Sequence, residues 1–170
     1  MYEGRPQLTP SDVRKIEAEI EERKLVIRPQ LIGEVKEARA QGDLSENFEY
    51  YAAKREKRQN ESRIRYLENM IKTAVIIEDH SKADEVGLNK RVEVYFPDDD
   101  ETEVFRIVTS IRGNSMKNLV SIDSPIGRAL LHKKAGDTAT VRMENGASYQ
   151  VVIRSIGEDE GEEGDAIRGF

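Results

Sequence analysis

The feature that most constrains the fold is a short break, Gly42-Asp43-Leu44-Ser45-Glu46-Asn47, between two long stretches of helical sequence. Residues 11–41 and 48–74 on either side are rich in charged side chains and have apolar residues at helical spacing. A glycine followed by an aspartate is typical of the point where one helix ends and the next begins. The sequence therefore predicts an antiparallel helical hairpin whose tip is this acidic break.

Apolar residues three and four positions apart predict the seam along which the two helices pack. Thr9-Pro10-Ser11-Asp12 has the residues of a helix start, and Pro29 predicts a kink or local break. Residues 54–65 of the returning helix favour an anionic partner because basic residues outnumber acidic ones, although a solvated helix with pairs such as Glu61–Arg65 would look the same. The predicted seam positions are Val13, Ile16, Ile20, Ile27, Leu31, Val35 and Ala38, facing Ala53, Lys57, Asn60, Ile64, Leu67, Ile71 and Ala74.

After Ala74 the spacing of apolar residues changes from helical to alternating, which predicts short β-strands. Residues 80–90 are interpreted as a linker-like boundary, and Ser124-Pro125 predicts the start of a short helix. Hairpin turns are predicted at 97–100 and 144–146. The strand candidates are residues 75–77, 92–95, 104–108, 119–122, 138–141 and 149–153.

Composition excludes several classes of protein. The chain has no cysteine, which excludes a disulfide framework and a thiolate metal site and fits a cytoplasmic location. No apolar run approaches the length of a membrane span, and Met1–Arg5 lacks the apolar core of a signal peptide. The net charge of −6 comes mostly from residues 158–170, which are predicted to form a disordered, dispensable acidic tail. The remainder is close to neutral, so a nucleic-acid partner is not excluded.

Asp43 and Glu46 are the strongest candidates for chemistry. Their spacing places both carboxylates on one face of a helix start, and two hard oxygen ligands suit Mg²⁺. The same spacing is that of a capping box, in which Asp43 would cap the helix and Glu46 would reach back, and spacing alone favours this interpretation. Two carboxylates are also too few to hold Mg²⁺ tightly without further ligands. No nucleophile elbow, phosphate loop or dinucleotide fingerprint is present, and the acidic cluster 98–101 is expected to be a solvated turn.

The run from Glu37 to Lys54, EARAQGDLSENFEYYAAK, strongly resembles the tip of the bacterial Gre transcript cleavage factors, GreA more than GreB. Residues 105–108 (FRIV) and 121–130 (SIDSPIGRAL) resemble motifs of the second domain of that family. The resemblance implies an α+β protein, with a long N-terminal antiparallel α-helical coiled-coil hairpin at 8–77. An FKBP-like β domain with one short helix would follow at 80–157, and then the tail at 158–170.

The resemblance also implies a function, that of a transcription elongation factor. Such a protein is not itself an enzyme: it binds the secondary channel of RNA polymerase and stimulates hydrolysis of backtracked RNA near its 3′ end. Asp43 and Glu46 would help to hold the second Mg²⁺ of the polymerase, in a site with two ions about 3.5–4 Å apart. We expect a monomer, no membrane association and no tight Mg²⁺ site in the free protein.

Other residues receive roles from the same resemblance. Asn47 and Tyr50 would support the tip. The family commonly has alanine where this chain has Gly127, which should weaken the short helix by up to about 1 kcal/mol. The basic residues expected to contact RNA phosphates are Arg39, Lys54, Arg55 and Arg58, and the expected polymerase-docking surface is Asp123, Ser124 and Pro125.

Two alternatives belong to other classes. The first is a Gre-like (Gfh) regulator that occupies the channel without stimulating cleavage; against it, Asp43–Asn47 keeps the pattern of the cleavage factors. The second is an FKBP-like prolyl isomerase or chaperone. Against it, residues 92–156 contain no tryptophan and too few other aromatic residues to line a proline pocket.

Overall fold

A computed structural model describes residues 4–42 and 47–169 of the chain. These residues fold as two compact units. The first is helical and contains residues 12–74 together with the N-terminal residues before 7. The second is built around a β-sheet and contains residues 7–11 and 75–169. The predicted α+β fold class, with a helical hairpin followed by a β domain that carries one short helix, is confirmed.

The first arm of the hairpin contains two α-helices joined by a π-helical turn. Helix α1 spans Pro10–Glu22, the turn spans Arg23–Ile27 and helix α2 spans Arg28–Ala40. The backbone N–H of Arg28 donates to the carbonyl of Arg23, five residues earlier. Pro29 has no N–H to donate, so the regular hydrogen-bond ladder has to be interrupted near it. The disturbance predicted at Pro29 is therefore a change of hydrogen-bond register just before the proline, within a helix that continues to Ala40.

Helix α3, Phe48–Thr73, returns antiparallel to this arm. Buried apolar side chains recur along both arms at the predicted spacing, and most other predicted seam positions are half-buried. The buried apolar side chains of the hairpin are Ile16, Leu31 and Ala38 on the first arm and Tyr50, Ile64 and Leu67 on α3.

A layer of polar side chains interrupts this apolar seam beside the π-helical turn. Arg63 is 4% exposed and donates from Nε to Glu19 at 2.8 Å. Arg23 donates to the same carboxylate at 2.8 Å and to the amide oxygen of Asn60 at 3.0 Å. Burial alone would raise the pKa of Glu19, but the hydrogen bonds from Arg63 and Arg23 outweigh it and lower that pKa overall. The layer is therefore ionised and paired at neutral pH.

The basic run 54–65 in α3 is not simply a solvated helix face. Its member Arg63 is buried against Glu19. Glu61 does not pair with Arg65. Its two carboxylate oxygens accept from Arg28 at 2.8 and 3.0 Å, and the hydrogen bond from Arg28 lowers the pKa of Glu61. Glu61 pairs with Arg28 on the other arm because a bidentate guanidinium–carboxylate pair is stronger than an exposed pair within one helix.

In the described residues the β unit contains seven strands: β1 Gln7–Leu8, β2 Val75–Ile76, β3 Lys90–Phe96, β4 Glu101–Val108, β5 Leu119–Ser121, β6 Thr138–Arg142 and β7 Ser148–Asp159. Five of them form a mixed sheet with the strand order β5-β4-β3-β7-β6. Its central pairs are antiparallel, and β4 and β5 run parallel. A separate parallel pair joins β1 to β2, and the sequence did not indicate β1. The apolar core lies on one face of the sheet under the short helix α4, Pro125–Leu130.

Two segments described as linker and tail are part of the β unit. Within residues 80–90, Val86 and Leu88 are 0% and 5% exposed and belong to the apolar core. Strand β7 continues to Asp159, two residues beyond the expected end of the domain. The segment after it, predicted to be disordered, instead places Glu162 and Asp165 in ion pairs with the buried Arg112. Composition indicated disorder because it does not show that the β unit contains a buried arginine that needs carboxylate partners.

The expectation that Gly127 weakens α4 is also corrected. An alanine Cβ at this position would lie 2.0 Å from the carbonyl oxygen of Ser121 and 3.0 Å from Oγ of Ser124. Ser124 is the N-cap of α4, and its hydroxyl accepts from the N–H of Gly127 at 3.1 Å and donates to the carbonyl of Ser121 at 2.6 Å. This compact turn leaves no room for a side chain, so glycine is the residue that the local packing requires.

Candidate functional site

The two arms of the hairpin converge on the acidic break that the sequence singled out. Helix α2 ends with the N–H of Gln41 donating to the carbonyl of Ala38 at 3.2 Å, and Gly42 follows with φ of +135°. Asp43 and Glu46, the predicted catalytic and metal-binding residues, lie outside the described residues. The geometry of the site is therefore that of the residues that flank them.

Asn47 joins the two arms at the tip. Its side-chain oxygen accepts from the N–H of Tyr50 at 3.0 Å, which makes Asn47 the N-cap of α3. Its side-chain N–H₂ donates to the carbonyl of Ala38 at 2.7 Å, near the end of α2. In a capping box the cap is the residue directly before the helix, and in α3 that residue is Asn47. The interpretation of Asp43 as the cap of α3 is therefore wrong.

Tyr50 lies one helical turn inside the tip and is 7% exposed. Its hydroxyl accepts from Arg39 at 3.4 Å, and the charged groups of Arg39 and Lys54 lie 5.6 and 5.8 Å from its ring centroid. The hydrogen bond from Arg39, together with the charge of Lys54, lowers the pKa of Tyr50 below its ordinary value. The ring thus brings together two cations from different arms.

The basic residues predicted to contact phosphates are exposed. Arg39 lies on α2, and Lys54, Arg55 and Arg58 lie in the first three turns of α3. A second, acidic surface accompanies them, since four glutamates line a cleft of about 380 Å³ between α2 and α3. These are Glu34, Glu37, Glu49 and Glu56. The sequence did not indicate this acidic cleft, because its members are spread over both arms.

The predicted docking residues form a hydrogen-bonded turn at the start of α4, in the other unit. Asp123 is exposed, and Ser124 and Pro125 are half-buried. Oδ2 of Asp123 accepts from the hydroxyl of Ser110 at 2.6 Å, and the N–H of Asp123 donates to Oγ of Ser121 at 3.0 Å. The carboxylate is therefore held in place while it remains open to solvent.

The structure disfavours a prolyl isomerase site. Phe96 packs edge-on against Phe105, with ring centroids 6.1 Å apart, and also contacts Tyr149. Phe105 belongs to the apolar core and the other two rings pack against it, so these rings contribute to the core and not to an open proline pocket. Within 4–42 and 47–169, no group of three or more histidines, aspartates or glutamates is placed to hold a metal ion. No helix in the same residues is long and apolar enough to cross a membrane.

Comparison with known proteins identifies the family. The model of the GreA/GreB N-terminal domain, described as "Transcription elongation factor, N-terminal", matches residues 6–76. The model described as "Transcription elongation factor, GreA/GreB, C-term" matches residues 80–158. The chain belongs to the GreA/GreB family of transcription elongation factors. This membership confirms the resemblance that the tip and second-domain motifs indicated.

Relatives within the Gre family extend over nearly the whole chain. Transcription elongation factor GreA of Streptococcus pneumoniae is 43% identical over 157 residues, which are 92% of this chain and 98% of that protein. GreA of Streptococcus gordonii has the same identity and coverage. The crystal structure of the GreA homologue Gfh1 of Thermus thermophilus has a TM-score of 0.41 and 24% identity, with 91% and 99% of the two chains covered. Identity to proteins named GreA favours a Gre elongation factor over the Gfh-type alternative.

Proposed function

We propose that this chain is a transcription elongation factor that binds in the secondary channel of RNA polymerase and stimulates endonucleolytic cleavage of backtracked RNA near its 3′ end. The chain is an accessory factor in this reaction, and the polymerase supplies the active site. The β unit would dock through Asp123, Ser124 and Pro125, and the hairpin would carry its tip to the reacting RNA. Cleavage would return an arrested complex to elongation.

The donor set at the tip fits a hard divalent cation such as Mg²⁺. Asp43 and Glu46 offer carboxylate oxygens, and the chain has no cysteine. Two carboxylates leave most positions around the ion to other ligands, which the polymerase and the RNA would provide. When bound, the ion would neutralise charge on the reacting phosphate and lower the pKa of a bound water.

The described residues around the tip have their own roles in this proposal. Asn47 fixes the start of α3 against the end of α2, which limits where the intervening carboxylates can lie. Arg39 and Lys54, gathered by Tyr50, would bind phosphates of the displaced RNA, because a guanidinium and an ammonium are the usual phosphate contacts of proteins. Arg55 and Arg58 would extend this contact along α3.

The observation that carries the proposal is the identity of the helix cap. Because Asn47 caps α3, the start of the helix does not require Asp43 or Glu46 as its cap. Two acidic residues in a six-residue break, without a capping role in α3 and beside exposed basic side chains, are best explained by a function outside the fold. The capping box, the main competing explanation for the motif, is therefore not needed for the start of α3.

The test is RNA cleavage in a stalled elongation complex with the wild-type chain, Asp43→Asn and Glu46→Gln. Each variant should keep its melting temperature and its affinity for polymerase. Each should lose stimulated cleavage by at least about tenfold to a hundredfold, the range typical of losses at metal sites. Higher Mg²⁺ should restore part of the activity, since a weakened site fills at a higher ion concentration.

Glu49→Gln is the matched control, because Glu49 is an exposed acidic residue in the first turn of α3. This substitution removes one negative charge near the tip and leaves the motif unchanged. The variant should stimulate cleavage at the wild-type rate. Wild-type cleavage by Asp43→Asn and Glu46→Gln would disprove the catalytic role. Polymerase binding without stimulated cleavage by the wild-type chain would instead indicate a Gfh-type regulator.

A further inference from the structure

The acidic segment at residues 160–168, which we call the C-terminal clasp, lies beyond the end of the family match at 158. It starts where β7 ends, and its first N–H, that of Glu160, donates to the carbonyl of Asn89 at 3.0 Å. The clasp is thus attached to the β unit from its first residue.

Two carboxylates of the clasp hold Arg112, whose side chain is 0% exposed. Glu162 lies 2.7 Å from its Nη2, and Asp165 lies 2.5 Å from its Nη1, which also donates to the amide oxygen of Asn89 at 2.8 Å. A buried guanidinium that loses its counter-charges is strongly destabilising. The clasp therefore supplies charges that this arginine needs in order to be buried.

The same carboxylates also bind neighbouring elements. Asp165 accepts from Arg106 on β4, so it bridges two arginines. Glu162 accepts from the hydroxyl of Thr9 at 2.6 Å. Burial alone would raise the pKa of Asp165, but the hydrogen bonds from Arg106 and Arg112 lower it overall, which keeps the bridging carboxylate ionised at neutral pH.

The clasp is linked to the proposed docking residues Asp123–Pro125 through the 3₁₀ turn Ser110–Arg112. Arg112 is the last residue of that turn, and farther along the clasp the N–H of Arg168 donates to the carbonyl of Ile111 at 2.8 Å. At the other end of the turn, Ser110 donates to Oδ2 of Asp123 at 2.6 Å and contacts the hydroxyl of Ser121 at the same distance. A short chain of hydrogen bonds thus runs from the clasp to the exposed carboxylate of Asp123.

We propose that the C-terminal clasp holds the Ser110–Arg112 turn and thereby positions Asp123 in the surface that docks on RNA polymerase. Glu162 and Asp165 are positioning residues in this arrangement, since they act through Arg112 and need not touch the polymerase. The inference rests on the proposed docking role of Asp123. It makes the clasp a functional addition to the Gre fold in this chain.

The test compares the full-length wild-type chain with the double variant Glu162→Gln/Asp165→Asn by hydrogen exchange and by titration against RNA polymerase. Amides at 110–112 and 121–124 should exchange about tenfold faster or more in the variant, since buried hydrogen bonds to charge are lost. The dissociation constant for polymerase should rise, and the exchange of amides in α3 should not change.

Glu163→Gln is the matched control, because Glu163 is an exposed carboxylate in the same segment. It should match the wild type in exchange and in affinity. If the double variant does not fold, Asp165→Asn alone provides the same comparison, because the asparagine keeps one accepting oxygen for the arginines.

The outcomes separate this inference from the function on which it rests. Unchanged amide exchange at 110–112 in the double variant would contradict the proposal that the clasp holds the Ser110–Arg112 turn. Faster exchange with unchanged polymerase affinity would overturn the positioning role, provided that Asp123→Ala weakens binding. If Asp123→Ala binds polymerase as the wild type does, the docking surface itself is wrong and the positioning role fails with it.

Discussion

Asn47 uses both ends of its side-chain amide, and each end acts on a different helix. Replacing it by alanine removes the cap of α3 and the bond to the carbonyl of Ala38. We expect Asn47→Ala to lower the free energy of unfolding of the hairpin by about 1–2 kcal/mol, measured by thermal denaturation. Asn47→Asp separates the two roles, because aspartate caps well but cannot donate to Ala38. If Asn47→Asp matches the wild type in stability and in RNA cleavage, the bond to Ala38 has no role.

Gly127 offers a second residue-scale prediction. Gly127→Ala would add helix propensity to α4 but would place a methyl group 2.0 Å from the carbonyl oxygen of Ser121. We expect the clash to prevail and the β unit to lose about 1–3 kcal/mol. Gly33→Ala in α2 is the control, since no atom lies within 4 Å of its added Cβ, and it should stabilise the chain by about 0.5–1 kcal/mol. Chemical denaturation of both variants measures the contrast, and a stabilised Gly127→Ala would contradict the packing around α4.

At the residue scale, the sequence predicted features that depend on neighbouring residues and missed interactions between residues that are far apart in the chain. The acidic break was predicted because glycine and aspartate between helical runs signal a helix boundary. The cap was misassigned because Asp43 and Asn47 are both good caps, and only the observed start of α3 distinguishes them. The burial of Arg63 against Glu19 could not be foreseen, because these partners are 44 positions apart. Whether Asp43 and Glu46 act in cleavage stays a prediction.

At the scale of elements, we expect the polar layer of Glu19, Arg23, Asn60 and Arg63 to stabilise the hairpin in a pH-dependent way. The folded-state pKa of Glu19 lies below its ordinary value of 4.5. A carboxyl group of this kind contributes stability above its unfolded pKa, and the contribution is lost as the pH falls through the folded pKa. We expect Glu19→Gln to cost about 1–3 kcal/mol at pH 7 and progressively less below about pH 4.5.

Thermal denaturation of the hairpin between pH 3 and pH 7 measures this dependence. Glu17→Gln is the control, since Glu17 is an exposed glutamate on the same helix, and its effect should be small at every pH. A cost for Glu19→Gln that is the same at pH 3 and pH 7 would show that the layer acts by shape and not by charge.

Periodicity predicted the elements better than it predicted their ends. The helices and most strands lie where helical and alternating spacing placed them, because a buried face imposes that spacing on the sequence. Strand β1 has only two residues, too few to show an alternation. The extension of β7 to Asp159 pairs with Lys90 of β3, and the clasp after it pairs through Asp165 with Arg106 and Arg112. Pairing between distant residues leaves no periodic signal.

At the scale of the whole molecule, the two units carry different parts of the proposed function. The buried residues of the apolar core of the β unit lie within residues 86–153. The carboxylates proposed to act in cleavage belong to the break in the hairpin, whereas Asp123 and the clasp belong to the β unit. Docking and chemistry should therefore be separable by cutting the chain.

We expect the fragment 75–169 to fold, because it contains the five-stranded sheet with its apolar core and the clasp, and of the β unit it lacks only residues 7–11. It should bind RNA polymerase more weakly than the full chain, since the contacts of the hairpin are absent, and it should not stimulate RNA cleavage. Circular dichroism tests the folding, and competition against the labelled full-length chain tests the binding. Full-length Asp43→Asn is the matched control, because it should be equally inactive in cleavage but should compete as well as the wild type. Cleavage stimulated by fragment 75–169 would place the chemistry in the β unit and refute the role of the tip.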